Sequence, residues 1–167
     1  LPTPARPHRV QIYWQQPVET LPGVRGLIDL QVLTQTDLLD SDPRRETISE
    51  LPVGEVWRFS ERGESQVDVT DAHGQVRDAD TCCVLVRPNG VDWSYVELVH
   101  PLDFHATELR RSGERLQIRQ ALFVNFLEKG VILRSRVRGA IVDRSGDLET
   151  GRALYRQLCE TAPPLAT

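Results

Sequence analysis

Methionine is absent from the 167 residues, lysine occurs once, at Lys129, and cysteine three times, at Cys82, Cys83 and Cys159. Each shortage excludes something. A chain that neither starts with Met nor contains one reads as starting downstream of its translation start, with a signal or an upstream domain removed. The three cysteines have neither zinc-ligand spacing nor a C-x-x-C pattern. Cys82 and Cys83 are consecutive, with Cα atoms about 3.8 Å apart, short of the roughly 4.4–6.8 Å that an ordinary disulfide spans. Three reduced thiols, mostly buried as small hydrophobes, are expected, and unpaired cysteines favour a cytoplasmic setting. Apolar runs such as Ala121–Phe126 are far below the ~20 residues of a membrane span. The opening Leu-Pro-Thr-Pro-Ala-Arg-Pro lacks the apolar stretch of a signal peptide. Aromatic residues make up 6% of the chain, and Trp14, Trp57, Trp93 and Tyr95 read as core or interface anchors.

The rest is that of one globular domain. At this length roughly 70% of the unfolded surface can be buried, so folding needs neither disulfide nor metal. The formal net charge of −4 comes from 24 acidic and 20 basic side chains. They are unevenly spread, the first half being acidic and residues 104–138 locally basic. The prolines of residues 1–7 suit an extended tail, residues 8–161 form a single β-rich domain, and 162–167 form a second tail.

Period-two alternation between turn residues is the dominant pattern and argues for antiparallel strands. They are expected at 8–15, 26–35, 55–61, 66–71, 81–87, 91–99, 105–111, 115–125 and 130–142. Pro88-Asn89-Gly90 and Ser112-Gly113 supply turns. A short helix is expected over 42–51, where Asp42-Pro43 offers a cap and a first-turn proline. A longer one is expected over 147–161, where Leu148, Leu154, Tyr155, Leu158 and Cys159 recur at helical spacing before Pro163-Pro164. The expected fold is all-β, an antiparallel sandwich or partly open barrel of about eight or nine strands with a C-terminal α-helix. The alternative is a helix-grip α+β arrangement, which needs residues 26–51 to be mostly helical.

Alternation and turns in 105–142 suggest a three-strand meander. With Arg111 opposite Glu114, Leu109 meets Leu116, Thr107 meets Ile118 and His105 meets Gln120. Closing the next hairpin over 125–130 sets Val124 opposite Val131, Leu122 opposite Leu133, Gln120 opposite Ser135 and Ile118 opposite Val137. A two-residue slip would move the rows and keep the faces. One face then carries Arg115, Arg119, Arg134, Arg136 and Arg138, with Arg119 opposite Arg136. Such a pair is destabilising unless an anion lies nearby, so acidic neighbours in the chain, an acidic partner protein or a small anion are expected there. The other face carries a polar row of His105, Gln120 and Ser135, either a hydrogen-bond ladder or the polar patch of an apolar cavity holding a small ligand.

His100-x-x-Asp103-x-His105 has residue types that hold a divalent metal. On one continuous strand, however, the two histidines point to opposite faces, and no cofactor is otherwise implied. No G-x-S-x-G elbow, phosphate loop or dinucleotide fingerprint is present. The acidic chain, without a recognition motif beside its arginines, argues against nucleic acid. The sequence therefore favours a non-enzymatic binding or interaction domain using the arginine face or the inner cavity. A metal-dependent or histidine-based enzyme and a structural domain of a larger chain are the alternatives.

Overall fold

In the computed structural model the alternation becomes an antiparallel β-sandwich, open along one side, with a C-terminal helix. It describes residues 8–17, 21–69, 74–76, 82–123 and 126–161. The two expected tails, Val124, and the outer ends of the strands expected at 66–71, 81–87 and 115–125 lie outside the described residues.

A seven-stranded sheet runs in the order β1 (His8–Gln15), β2 (Val24–Thr36), β13 (Ile132–Asp143), β9 (Trp93–Val99), β8 (Cys83–Pro88), β5 (Gly54–Phe59) and β6 (Glu64–Val67). A four-stranded sheet runs β4 (Arg45–Pro52), β11 (Arg115–Phe123), β10 (Ala106–Ser112) and β7 (Gly74–Val76). The two-residue strands β3 (Asp40–Ser41) and β12 (Leu127–Glu128) pair with each other. The sheets close on Val56, Val84 and Val86 of the large one and Leu109, Leu116 and Ile118 of the small one. The helix α1 (Asp147–Glu160) buries Leu154 and Leu158 in a second cluster with Phe59, Leu85, Leu98 and Val142. Each buried leucine of this kind contributes about 1.5–3 kcal/mol.

Two sheet arginines hold the C-terminal half of α1. Arg138 pairs bidentately with Asp29 and donates to the Leu154 carbonyl at 3.3 Å, while Arg136 donates to the Thr161 carbonyl at 3.0 Å. At the other end Asp147, nearly fully buried, accepts from Arg87 and Ser94.

Three expectations are corrected. Residues 42–51 form no helix: in β4, Thr47, Ser49 and Leu51 point inward while Glu46, Ile48 and Glu50 point out, a period of two that outweighs the Asp42-Pro43 start signal. Residues 26–51 thus hold strands, and the helix-grip alternative does not apply. The β10–β11 hairpin is slipped by two residues, with Leu109 opposite Ile118, Thr107 opposite Gln120 and Ser112 opposite Arg115. Its turn is Gly113-Glu114, and Gly113 has φ +58°, a conformation open to glycine at little cost. Finally, β11 and β13 do not pair. The chain leaves the small sheet after Phe123 and enters the large one at Ile132, where β2 and β9 flank β13.

Candidate functional site

The β1–β2 margin of the large sheet is not covered by the small one. Its inward residues remain open, Trp14 at 65% and Ile12 at 55% exposure. Between this margin and β4 lies a cleft of about 320 Å³, with Ile12, Leu30 and Val32 on one wall and Thr47 and Ser49 of β4 on the other. Glu97 and Tyr95 of β9 line its base. Its volume falls at the lower end of small-molecule sites.

Glu97 is 1% exposed, and among the described residues no cation pairs with it. Its partners are neutral. The Gln120 amide donates to Oε1 at 3.0 Å, the Tyr95 hydroxyl donates to Oε2 at 2.9 Å, and the Ser49 hydroxyl donates to the same Oε2. Thr107 donates to the Gln120 carbonyl oxygen at 2.6 Å, which turns the Gln120 amide nitrogen toward Glu97. Burial pushes the Glu97 carboxyl above its ordinary range, against the opposing pull of the Ser49, Gln120 and Tyr95 hydrogen bonds. The Ser49 and Tyr95 oxygens are 3.3 Å apart. Together with Oε2 they form a triangle in which both hydroxyls donate to the carboxyl oxygen. Burial, followed by the proximity of Glu97, pushes the Tyr95 phenol far up, so it stays a donor.

The backbone of β13 allows this arrangement. Glu97 lies opposite Gly139, and the Tyr95 ring leans over that glycine, where a Cβ would stand 2.8 Å from the phenol oxygen.

The residues singled out in the sequence are scattered. His105 precedes β10 and is half-buried, Gln120 lies opposite Thr107 and Thr47 in the small sheet, and Ser135 lies opposite Val32 in the large one. No polar row joins them. Ser135 is buried with its hydroxyl unpartnered, and only Gln120 reaches Glu97. The arginines occupy two different sheets. Arg115 and Arg119 pair with Glu50 and Glu46 on the outside of the small sheet, Arg136 pairs with Asp103 and Arg138 with Asp29 on the large sheet, and Arg134 is half-buried. The opposition of Arg119 and Arg136 therefore does not arise, because β11 and β13 are not neighbours. His100 is buried, with Nδ1 accepting the Leu102 N–H, while Asp103 accepts from Arg136. No group of three metal-ligating side chains converges among the described residues.

Sequence reasoning missed Glu97. Its signal was a lone carboxylate on a strand whose same-face neighbours, Tyr95 and Val99, are a phenol and a valine. The hydroxyls from β4 that complete the site left no mark, since that segment was read as a helix.

No family model matches the chain, and no curated protein matches it. Among solved structures it is similar to the crystal structure of a putative aldose 1-epimerase from Klebsiella pneumoniae subsp. pneumoniae MGH 78578. The TM-score is 0.47 and the identity 8%, over 96% of this chain and 58% of that one. The chain thus spans less than two thirds of that neighbour, and at this TM-score the likeness carries no argument about activity. The neighbour is named as a putative enzyme, against the expectation of a non-enzymatic binding domain. That expectation is withdrawn, its two physical supports being gone: four of the five arginines are already ion-paired, and the polar row does not form.

Proposed function

We propose that this chain binds a small molecule in the β1–β4 cleft and acts on it by proton transfer, with Glu97 as the group that gives and takes the proton. The observation that carries this reading is the Glu97 carboxyl itself, buried at the base of an open cleft, raised by burial and held by neutral donors. A carboxyl raised by burial holds its proton above the ordinary carboxyl range, where it can donate the proton and recover it afterwards. Ser49, Tyr95 and Gln120 act as positioning residues. They converge on Glu97 from three strands and restrict its rotation. The apolar walls exclude water from the ligand and strengthen the hydrogen bonds at the cleft base.

The test is NMR in deuterated water with four probes: interconversion of glucose anomers, and α-proton exchange of cyclohexanone, 2-decanone and 9-oxodecanoate. Aldose anomer interconversion, the kind of activity for which the structural neighbour is named, is a convenient probe because the breaking of the ring C1–O5 bond and its re-formation on the other face of C1 are catalysed by proton transfer to and from the ring and anomeric oxygens. Acceleration of at least one conversion is expected, falling about a hundredfold or more in Glu97→Gln. Equal behaviour of wild type and variant with every probe would end the reading.

A further inference from the structure

Arg45 lines the same cleft, on the inward side of β4, four residues before Ser49. Most arginines of this chain have a carboxylate within salt-bridge distance, as Arg119 has Glu46 and Arg138 has Asp29. Arg45 has none among the described residues. Its Nη1 donates to the Arg44 carbonyl at 2.7 Å and its Nη2 lies 3.4 Å from Nδ1 of His8. With Nδ1 accepting from Arg45, the His8 ring carries its proton on Nε2, and that nitrogen is buried without a partner. The Thr47 hydroxyl, between Arg45 and Ser49 on the same face of β4, is buried and unpartnered as well. Among the described residues the lining of the cleft therefore holds a cation without an anion, Arg45, and an orphaned hydroxyl, Thr47, with the orphaned His8 ring N–H beside the guanidinium. Arg45 and Thr47 can both donate to an anionic oxygen, and a guanidinium fork fits a carboxylate bidentately.

Four residues of strand separate Arg45 from Ser49, which touches Glu97, a span of about 13 Å. Between them the wall formed by Ile12, Leu30 and Val32 is apolar. The geometry points to an amphipathic carboxylate as the ligand of this cleft: its head on Arg45, its apolar body along Ile12, Leu30 and Val32, and an oxo or hydroxy group far along the chain at Glu97. This rests on the reading of the cleft as a ligand site and adds the chemical class of the ligand.

Isothermal titration calorimetry with decanoate, and with 1-decanol as the uncharged analogue, tests it. Decanoate is expected to bind saturably and more tightly than decanol. Arg45→Gln should weaken decanoate about tenfold or more and change decanol by less than about twofold. Arg45→Lys should restore part of the loss, because it keeps the charge without the fork. Ile12→Asp, at an exposed position on the apolar wall of the cleft, should weaken both ligands. Equal affinity for the two in the wild type, equal loss of both in Arg45→Gln, or no binding of decanoate would overturn the proposal. Proton exchange reads the one proposal and calorimetry the other, so the two fail separately. Absent proton exchange with Arg45-dependent decanoate binding removes only the catalytic reading, and exchange without decanoate binding removes only the ligand class.

Discussion

Gly139 lies beneath Tyr95 so closely that a Cβ on the glycine would stand 2.8 Å from the phenol oxygen and 3.4 Å from the ring. The phenol oxygen is also the group that donates to Glu97. Gly139→Ala therefore has to move Tyr95 and is expected to cost about 1–3 kcal/mol. Tyr95→Phe should cost about 1–2 kcal/mol by removing one donor from a buried acid. The closest of the clashing atoms is the hydroxyl oxygen, so the double variant should lose less than the sum of the two. Urea unfolding of the four proteins measures this, and strict additivity would show that Gly139 and Tyr95 are energetically independent.

The Glu97 carboxyl sets a pH dependence of opposite sign to that of most acids in folded proteins. Burial raises it, so the fold favours the protonated form. The stability it contributes is complete below the ordinary carboxyl range and is lost as pH rises through the raised value. Glu97→Gln keeps a neutral hydrogen-bonding side chain and lacks this loss. Its melting temperature should therefore gain on that of the wild type as pH rises from 5 toward 8. A constant difference across that range would mean that Glu97 ionises without penalty.

His100 acts in the other direction. Burial, followed by the charge of Arg136, lowers its pKa against the pull of Asp103 and the Cys159 carbonyl. Its Nδ1 must stay unprotonated to accept from Leu102. The stability it contributes is present above its ordinary value of 6.5 and is lost as pH falls through the lowered value. His100→Gln should be less sensitive to acid than the wild type between pH 6.5 and 5, measured by thermal unfolding. Parallel acid profiles would remove His100 from the account.

Arg138 joins β13, β2 and α1 through Asp29, Gln157 and the Leu154 carbonyl. Arg138→Met fills similar volume but leaves a partly buried carboxylate and a helix carbonyl without their donor. A loss of about 3 kcal/mol is expected, with hydrogen exchange rising first in the second half of α1. Uniform exchange across the chain would show that the helix does not depend on this anchor.

Local periodicity alone determined the all-β class, the inward and outward faces of β10 and β11, and the C-terminal helix. A side chain two residues along a strand, or three to four along a helix, repeats its environment whatever it packs against. For the same reason a two-residue slip in the β10–β11 hairpin left every face assignment intact. Strand partnership was another matter. The alternation of β11 and β13 is equally compatible with pairing to each other or facing each other across a core, and only the tertiary structure places them in different sheets. The site depended on that choice. Glu97 meets Ser49 across 48 residues of sequence, and Arg119 meets Glu46 across 73. Whether a carboxylate is raised by burial or held by an arginine is set by what packs around it, which no local pattern records. The sequence could show that Glu97 sits on a strand among apolar neighbours, but its burial among neutral donors, at the base of an open cleft, was decided when the two sheets came together.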